Sequence, residues 1–325
     1  MFELIDERAY AKTMEQVVEP KLAAMRRELD VPVEGGTLHA EAYSAQGARR
    51  AVVVLHGYTE SAEKFREMIW YFVQNGMRVY AYDHRGHGRS VRAVEDTSIT
   101  HVDRFEDYLR DLECLMEQVV LPETRGMERV LYAHSMGGAI GALALMEHPD
   151  WFARAVLTAP MIAASTAPFP RAAGRAIAGL MRLLGKGKER AFIGKPFDPA
   201  SETFENAFVT SRARFDYYEK KRVADRLLQN CSPSYGWVAE SLAVTDRLLN
   251  AANCAKINTP LLLCQAGLDT VVCLPEQEQF VKQVAGAQLR LFEAAKHEIY
   301  GSEDAVLREY VPLVLGFLGE AGKGV

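Results

Sequence analysis

Short, almost continuously apolar segments alternate with longer segments whose apolar residues recur at helical spacing over most of the chain. Apolar runs of about four to eight residues are typical of strands that are buried on both faces of a sheet. The strands predicted before residue 160 are Thr37–Tyr43, Ala51–Leu55, Met77–Tyr82, Arg129–Ala133 and Ala155–Thr158. The predicted helices are residues 7–29, Ala62–Gln74, Arg104–Val120 and Met136–Glu147. This alternation predicts a mostly parallel sheet with helices on both faces.

The alternation stops after Pro160, and residues 161–248 contain helical patterns but no convincing buried strand. It resumes with the strands Pro260–Ala266 and Gln288–Glu293 and with helices at Pro275–Val284 and Asp304–Leu318. A helical insertion at this point is expected to cover the sheet edge where the strands' carboxyl ends lie. We therefore predict an α/β core formed by residues 1–160 and 249–325, with a helical cap over residues 161–248.

Ser135 is the candidate nucleophile, in the sequence LYAHSMGG that joins a predicted strand to a predicted helix. A sharp turn there needs small neighbours, which Gly137 and Gly138 supply, while Ala133 stands where glycine is usual in such turns. A serine hydroxyl needs a base, a group that orients the base, and donors for the oxyanion. Since a serine before a helix is more often only an N-cap, the assignment depends on these partners.

His297 and Asp269 are the partners that the sequence offers. His297 follows the last predicted strand, whereas the other histidine after Ser135, His148, closes the serine's own helix. Asp269 lies in the turn AGLDT, where a buried carboxylate would accept a proton from the imidazole and fix its tautomer. The alternatives are a surface-loop histidine and an ordinary turn aspartate. The chain order Ser135, Asp269, His297 indicates the α/β-hydrolase arrangement among serine triads.

The oxyanion donors follow from the same arrangement. One backbone N–H comes from the residue after the nucleophile, which is Met136. The second comes from an early loop, here HGYT after the strand Ala51–Leu55, and we assign it to Tyr58.

The loop DHRGHGRS at residues 83–90 invites interpretation as a metal site, because His84 and His87 are three residues apart and His101 follows. Its glycines suit a compact turn, and no cysteine or acidic cluster completes a tetrahedral ligand set. We interpret the loop as a support beneath the active site and predict no bound metal.

The net charge and the cysteines limit the binding partners and the cellular compartment that we expect for this protein. The net charge of −5 gives no reason to expect nucleic acid. The five cysteines are scattered and odd in number, which favours reduced thiols; they are Cys114, Cys231, Cys254, Cys264 and Cys273. No apolar run reaches the roughly 18 residues of a membrane span, and the acidic N-terminal residues do not form a secretory signal. We therefore expect a cytoplasmic protein; the sequence does not predict its oligomeric state.

The segment Arg171–Lys195 of the predicted cap has seven basic residues and one acid, Glu189, interleaved with large apolar residues. The ordinary interpretation is a cap helix with a solvated basic face. The alternative is an amphipathic surface that meets lipid interfaces, with peripheral contact to the inner face of the membrane. In both cases we expect an apolar face toward the pocket, which suits an acyl chain.

Five segments together resemble the bacterial lysophospholipases and monoacylglycerol lipases: VVLHGYTES, AYDHRGHGRS, YAHSMGG, LTAP and KHEIY. The resemblance covers most of residues 38–320, and the segments HVDRFEDYLRDL and SYGWVAESL are more similar to the lysophospholipase branch. It implies a serine hydrolase of single-chain lipid esters that uses no cofactor. By motif it gives the nucleophile, acid, base and two oxyanion donors as Ser135, Asp269, His297, Tyr58 and Met136.

We therefore expect an ester hydrolase that works through an acyl-enzyme. The same triad would also serve a small-ester esterase or an aminopeptidase, for which Glu202, Glu205 and Glu219 offer acids to hold a substrate amine. The remaining alternative is a non-catalytic binding protein of this fold, although such proteins typically lose a triad member.

Overall fold

The computed structural model describes residues 3–45 and 47–319. Its strands are β1 (Arg26–Val33), β2 (Gly36–Tyr43), β3 (Arg50–Leu55), β4 (Met77–Tyr82), β5 (Ile99–Thr100), β6 (Glu128–His134), β7 (Arg154–Thr158), β8 (Ser232–Pro233), β9 (Leu261–Ala266) and β10 (Gln288–Phe292). Eight of them form one sheet in the order β1-β2-β4-β3-β6-β7-β9-β10. Only the pairs β1–β2 and β2–β4 are antiparallel, so the predicted mostly parallel sheet is confirmed.

Helices flank this sheet. They are α1 (Tyr10–Thr13), α2 (Glu19–Met25), α3 (Arg66–Gln74), α4 (Glu106–Leu115), α5 (Leu121–Glu123), α6 (Met136–Glu147), α7 (Arg171–Leu183), α8 (Arg212–Ala224), α9 (Tyr235–Leu248), α10 (Ala251–Cys254), α11 (Leu274–Gln283) and α12 (Asp304–Gly319). Single π-helical turns join α1 to α2 and α4 to α5. Within the described residues, no helix combines the length and the apolar character needed to cross a bilayer.

The central strands are buried on both faces, which explains their almost continuous apolar sequences. In β3, Val53 and Leu55 belong to one apolar cluster, whereas Val52 and Val54 belong to the cluster on the opposite face. Successive side chains of a strand point to opposite faces, so a sheet covered by helices on both sides needs apolar residues at every position. The same covering leaves the carboxyl ends of the strands free to carry polar side chains.

The predicted N-terminal helix over residues 7–29 is too long. The helical segment ends at Met25, and β1 begins at the next residue and pairs antiparallel with β2. The sequence LDVPV shows the reason, because Leu29, Val31 and Val33 alternate with polar or proline residues at the spacing of a strand. Val31 and its two neighbours of this set pack against the core.

Four of the described helices, α7, α8, α9 and α10, lie between β7 and β9. The strand β8 also lies in this region and pairs with β5 of the preceding part of the chain, so the region is not purely helical. The helix α9 contributes Trp237, Val244 and Leu248 to the same apolar cluster as α6. The division of the chain into core and cap at residues 160 and 248 stays a prediction.

Candidate active site

Ser135 lies in a strained turn between β6 and α6. Its φ of 51° and ψ of −117° are unusual for a residue with a side chain, and such conformations cost about 1–3 kcal/mol unless the surroundings enforce them. Here the N–H of Ser135 donates to the carbonyl of Thr158 at 3.1 Å, and its own carbonyl accepts from Met161 at 2.8 Å. These bonds hold the backbone in the strained form and leave the side chain to project from the turn.

The two glycines after Ser135 are required by close backbone contacts. A Cβ on Gly137 would lie 2.5 Å from the carbonyl oxygens of both Leu55 and His56, and one on Gly138 would lie 2.6 Å from Cβ of Pro160. The first turn of α6 therefore packs directly against the end of β3. This contact brings the loop after β3 next to the serine.

The structure brings Ser135, His297 and Asp269 together in one hydrogen-bonded chain. Nε2 of His297 lies 2.8 Å from Oγ of Ser135, and Nδ1 lies 2.7 Å from Oδ2 of Asp269. His297 follows β10, and Asp269 follows β9, so both come from the carboxyl ends of strands, as the serine does. Both partner side chains are buried. This arrangement can transfer the serine proton to the imidazole.

Asp269 is held as a carboxylate. Burial raises the pKa of Asp269, but the hydrogen bond and charge of His297 and the N–H groups of Val271 and Val272 outweigh it, so the pKa is below its usual value. The two N–H groups donate to Oδ1 at 2.8 and 3.1 Å, which leaves Oδ2 for the imidazole. A fixed carboxylate at this position orients the imidazole and stabilises its protonated form.

The loop after β3 lies directly over the serine. A Cβ on Gly57 would lie 3.0 Å from Cβ of Ser135, so the backbone of this loop packs against the nucleophile at Gly57. Among the residues that the structure describes, nothing accepts a hydrogen bond from the N–H of Tyr58 or of Met136. Both predicted oxyanion donors are therefore free to bind a ligand oxygen; their role stays a prediction.

Glu60 holds this loop in shape, and sequence reasoning did not identify it. Its Oε2 accepts from the N–H of Gly57 at 2.5 Å, and its Oε1 accepts from the hydroxyl of Tyr300. The Nζ atom of Lys64, four residues further along the chain, lies 3.2 Å from Oε1 of Glu60 and 2.6 Å from Oε1 of Glu298, the residue after the candidate base. The Lys64 ammonium therefore joins the loop of Tyr58 to the loop of His297.

Lys64 stays charged in this position. Burial lowers the pKa of Lys64, but the carboxylates of Glu298 and Glu60 more than offset the effect and raise it above its usual value. The sequence signal for this bridge was weak: an acid in HGYTES, a lysine four residues later, and an acid directly after the histidine. Only the fold shows that the two acids share one cation.

The loop with His84 and His87 is hydrogen-bonded to the Tyr58 loop and supports it. The N–H of His84 donates to Nε2 of His56 at 2.9 Å, and Nδ1 of His56 then donates to the carbonyl of Gly57 at 2.7 Å. Burial lowers the pKa values of His84 and His87 well below the usual value, so both are neutral. Asp83 accepts from the N–H of Ala62 at 2.8 Å. These contacts agree with our interpretation of the loop as a structural support.

A cavity of about 390 Å³ contains Ser135 and His297. Most of its other walls come from residues within 58–68, from residues 201–203 and 206–209, and from α8. The segment Arg171–Lys195, which the structure describes completely, does not line it, so the expectation that this segment turns an apolar face to the pocket is wrong.

The packing of α7 explains this error. Its small residues Gly174 and Ala178 face α9, and a Cβ on Gly174 would already lie 3.2 Å from Leu242. Large side chains do not fit on that side. They lie outside instead, and Leu180, Leu183 and Leu184 are 56%, 86% and 62% exposed.

Comparison with known proteins places this geometry in a family. The model of the family described as serine aminopeptidase, S33, matches residues 46–304. Lysophospholipase L2 of Escherichia coli K12 is 32% identical over 271 residues, which are 81% of this chain and 78% of that protein. Human monoglyceride lipase is 24% identical over 277 residues, 83% of this chain and 82% of that protein.

The fold also matches solved structures. A soluble variant of monoglyceride lipase from Saccharomyces cerevisiae, in complex with a substrate analogue, superposes with a TM-score of 0.74 at 18% identity and covers 90% of this chain and 95% of that one. A monoacylglycerol lipase from Paleococcus ferrophilus gives a TM-score of 0.65 at 20% identity, over 86% and 98% of the two chains. Together with the family match, these likenesses show that the chain belongs to the lysophospholipase and monoglyceride lipase group of α/β-hydrolases and is a carboxylic ester hydrolase.

Proposed function

We propose that this enzyme cleaves the carboxylic ester of a single-chain lipid, a lysophospholipid or a monoacylglycerol, through an acyl-enzyme. His297 takes the proton of Ser135 as Oγ attacks the ester carbonyl, and Asp269 stabilises the imidazolium. The N–H groups of Tyr58 and Met136 bind the oxyanion. The alcohol leaves with the proton from His297, and water then attacks the acyl-enzyme by the same route and releases the fatty acid.

The hydrogen-bonded chain from Ser135 to Asp269 is the observation that carries this proposal. Its two heavy-atom distances, 2.8 and 2.7 Å, are those expected for a base that is ready to accept the serine proton. The burial of the aspartate and the strained turn under the serine further support a site whose geometry is fixed before substrate binds.

Replacement of the nucleophile tests the proposal. Ser135→Ala should abolish ester turnover while the circular dichroism spectrum and the melting temperature stay close to those of the wild type. Ser44→Ala, a change of the same kind at an exposed position, is the control and should retain full activity. Ester cleavage by purified Ser135→Ala at the wild-type rate would refute the proposed mechanism.

The single-chain lipid substrate is supported by the names of the relatives, since lysophospholipase L2 and the monoglyceride lipases are lipid ester hydrolases by name. An aminopeptidase on the same triad is the second candidate, because two acids of the predicted amine-binding set, Glu202 and Glu219, line the cavity that contains Ser135. Glu205 lies outside that cavity. Nitrophenyl esters of graded chain length, measured beside aminoacyl anilides, separate the two: we expect turnover to rise with acyl length and the anilides to be poor substrates.

We also propose that the outer face of α7 and the segments directly before and after it contact a lipid–water interface. Its exposed large apolar side chains, called here the apolar cap surface, are Phe169, Ile177, Leu180, Leu183, Leu184, Phe192 and Ile193. Apolar side chains on a basic amphipathic helix insert into the boundary between head groups and acyl chains. The contact would bring the enzyme to the surface where its substrate is concentrated.

The charges of this segment contribute less than the sequence indicates. Four of its arginines pair with acids from other parts of the chain: Arg171 with Glu276, Arg175 with Asp246, Arg182 with Glu240, and Arg190 with Asp96. Lys188 and Lys195 have no ion pair among the described residues. Insertion of apolar side chains, rather than attraction to anionic lipids, is therefore expected to dominate the contact.

A further inference from the structure

Thr59 has a backbone conformation that is unusual for its residue type. Among the residues that the structure describes, three that are not glycine have a φ in the left-handed region: Thr59 at 62°, Ser135 at 51° and Ala159 at 41°. Each follows a strand of the large sheet at the carboxyl end of that strand. Threonine is the only β-branched residue of the three, and this conformation is least favourable for branched side chains.

The contacts on both sides of Thr59 hold it in this conformation. The N–H of Gly57 donates to Oε2 of Glu60 at 2.5 Å, and the N–H of Ala62 donates to Oδ1 of Asp83 at 2.8 Å. A glycine at position 59 would adopt the same φ without strain. Because strained residues that persist next to an active site often take part in its work, the strain directs attention to the side chain of Thr59.

The side chain of Thr59 is open to the substrate. Thr59 is partly exposed and lines the cavity that contains Ser135 and His297. Within the described residues its hydroxyl has no hydrogen-bond partner. The hydroxyl is also not one of the fully buried polar atoms that lack a partner, so it keeps surface that a ligand can reach.

The side chain of Tyr58, in contrast, is used by the protein itself. Its ring packs against the ring of Trp237 with the centroids 4.1 Å apart, and its hydroxyl is buried. Tyr58 therefore offers the substrate its backbone N–H, which donates to no acceptor in the part of the chain that the structure describes. The hydroxyl of the next residue, Thr59, is the side-chain donor that follows this predicted oxyanion donor directly.

We propose that the hydroxyl of Thr59 is a third donor to the oxyanion, in addition to the N–H groups of Tyr58 and Met136. The inference rests on the proposed acyl-enzyme mechanism. A hydroxyl rotates freely, so it can donate to the ester oxygen whose charge grows as Oγ of Ser135 attacks the carbonyl carbon. A hydrogen bond to a charged oxygen is stronger than one to a neutral oxygen, so this bond stabilises the transition state more than the bound ester.

Two substitutions at this position test the hydroxyl. Thr59→Val keeps the branched shape and removes the donor, whereas Thr59→Ser keeps the donor. On a dissolved short-chain nitrophenyl ester, Thr59→Val should lower kcat and kcat/KM by a similar factor of about ten- to a hundredfold, the loss expected for a hydrogen bond to a charged oxygen. Thr59→Ser should retain most of the wild-type rate.

A tetrahedral adduct supplies a second measurement, which a purely structural role would not change in the same way. When an alkyl trifluoromethyl ketone binds, Oγ of Ser135 forms a bond to the carbonyl carbon, the carbonyl π electrons move to the oxygen, and the serine proton passes to His297. The resulting oxyanion resembles that of the transition state. The inhibition constant of the ketone should rise in Thr59→Val by about the factor by which kcat/KM falls, and should stay close to the wild-type value in Thr59→Ser.

Thr37→Val is the matched control, because Thr37 is exposed on β2 and does not line the cavity that contains Ser135. It should behave as the wild type in both assays. Thr59→Gly, which accepts the left-handed φ without strain, guards against misfolding of the valine variant and should lose activity to a similar extent.

Three results would refute the third donor. They are an unchanged kcat and inhibition constant in Thr59→Val, a change in that variant confined to KM, and an equal loss of rate in Thr59→Ser, which would assign Thr59 a structural role. If the wild type itself neither cleaves the ester nor forms the adduct on Ser135, the proposed acyl-enzyme mechanism is refuted instead.

Discussion

Small residues allow close packing both at the turn around Ser135 and on the helix α7, but the first contact forms a buried site and the second leaves an apolar surface exposed. At the elbow, Gly137 and Gly138 let the start of α6 approach β3 and Pro160, and this contact fixes the serine next to the Tyr58 loop. On α7, Gly174 and Ala178 let the helix approach α9, and the large apolar side chains are left outside. Close packing of small residues thus builds a rigid buried site in one region and an exposed apolar surface in the other.

The difference shows what each region is able to do. The side chains of Ser135, His297 and Asp269 are buried and hydrogen-bonded in one chain, so a change there should affect the chemical step. The apolar cap surface has few contacts within the protein, so a change there should affect binding to an interface and leave the chemistry intact. Variants in the two regions can be compared on the same two readouts: turnover of a dissolved ester and association with vesicles.

Loss of the Asp269 charge should have the largest effect. Asp269→Asn removes the carboxylate that accepts from Nδ1 of His297, so the imidazole loses its orientation and the imidazolium its partner. By analogy with the same substitution in the triad of chymotrypsin-type enzymes, kcat on a dissolved ester should fall by about 10³- to 10⁴-fold. Vesicle binding should not change. A loss below tenfold would contradict the role of Asp269.

Removal of the Lys64 bridge should have an intermediate effect. Lys64 is a positioning residue, since it joins the loops of Tyr58 and His297 through Glu60 and Glu298. Small displacements of catalytic groups cost up to about a hundredfold, so Lys64→Met should lower kcat by about ten- to a hundredfold with little change in KM. Lys64→Arg should restore most of the rate.

Lys220→Met is the control for this change, because Lys220 is 74% exposed and its ion pair, with Glu15, lies away from both loops. It should behave as the wild type. A fall in Lys64→Met that Lys64→Arg does not rescue, or a change confined to KM, would indicate that the bridge does not position the catalytic loops.

The smallest expected effect on the chemistry is at the apolar cap surface. Leu183→Gln combined with Leu184→Gln should weaken binding to phosphatidylglycerol-containing vesicles by about a hundredfold or more, because each exposed leucine contributes about 1.5–3 kcal/mol when it is fully buried and 1.4 kcal/mol corresponds to a factor of ten. Turnover of a dissolved short-chain ester should stay within about twofold of the wild type.

Two other exposed leucines provide a matched pair of changes. Leu289 and Leu291 on β10 are 40% and 44% exposed, and Leu289→Gln with Leu291→Gln should leave vesicle binding unaltered. Equal losses in both double variants would mean that general hydrophobicity, and not the apolar cap surface, drives the association.

The sheet and the three site residues could be predicted because their signals are local. Strands buried on both faces are apolar at nearly every position, and the serine, aspartate and histidine each follow such a run. The boundary at Met25 was missed because the helical spacing of the apolar residues was continued into β1, although β1 forms a hairpin with β2 directly after it. The alternation of Leu29, Val31 and Val33 indicates a strand, but it covers only five residues, and its first residue was included in the helix predicted before it.

Other features depend on contacts between distant segments. The Lys64 bridge joins residues more than 200 positions apart, and the acids of its two loops have no common motif. The direction in which α7 turns its apolar side chains depends on the shape of α9, since both faces of α7 contain apolar residues. Such choices are decided by packing, so a single sequence cannot reveal them.

The most direct test of the account is the position at which a fluorophosphonate probe attaches to the folded enzyme. Because only a serine with an adjacent base reacts rapidly, mass spectrometry of the labelled protein should find the phosphonyl group on Ser135, and Ser135→Ala should remain unlabelled. A rapid adduct on another residue, or no adduct in a folded preparation that hydrolyses esters, would contradict the assignment of Ser135, His297 and Asp269 as the catalytic groups.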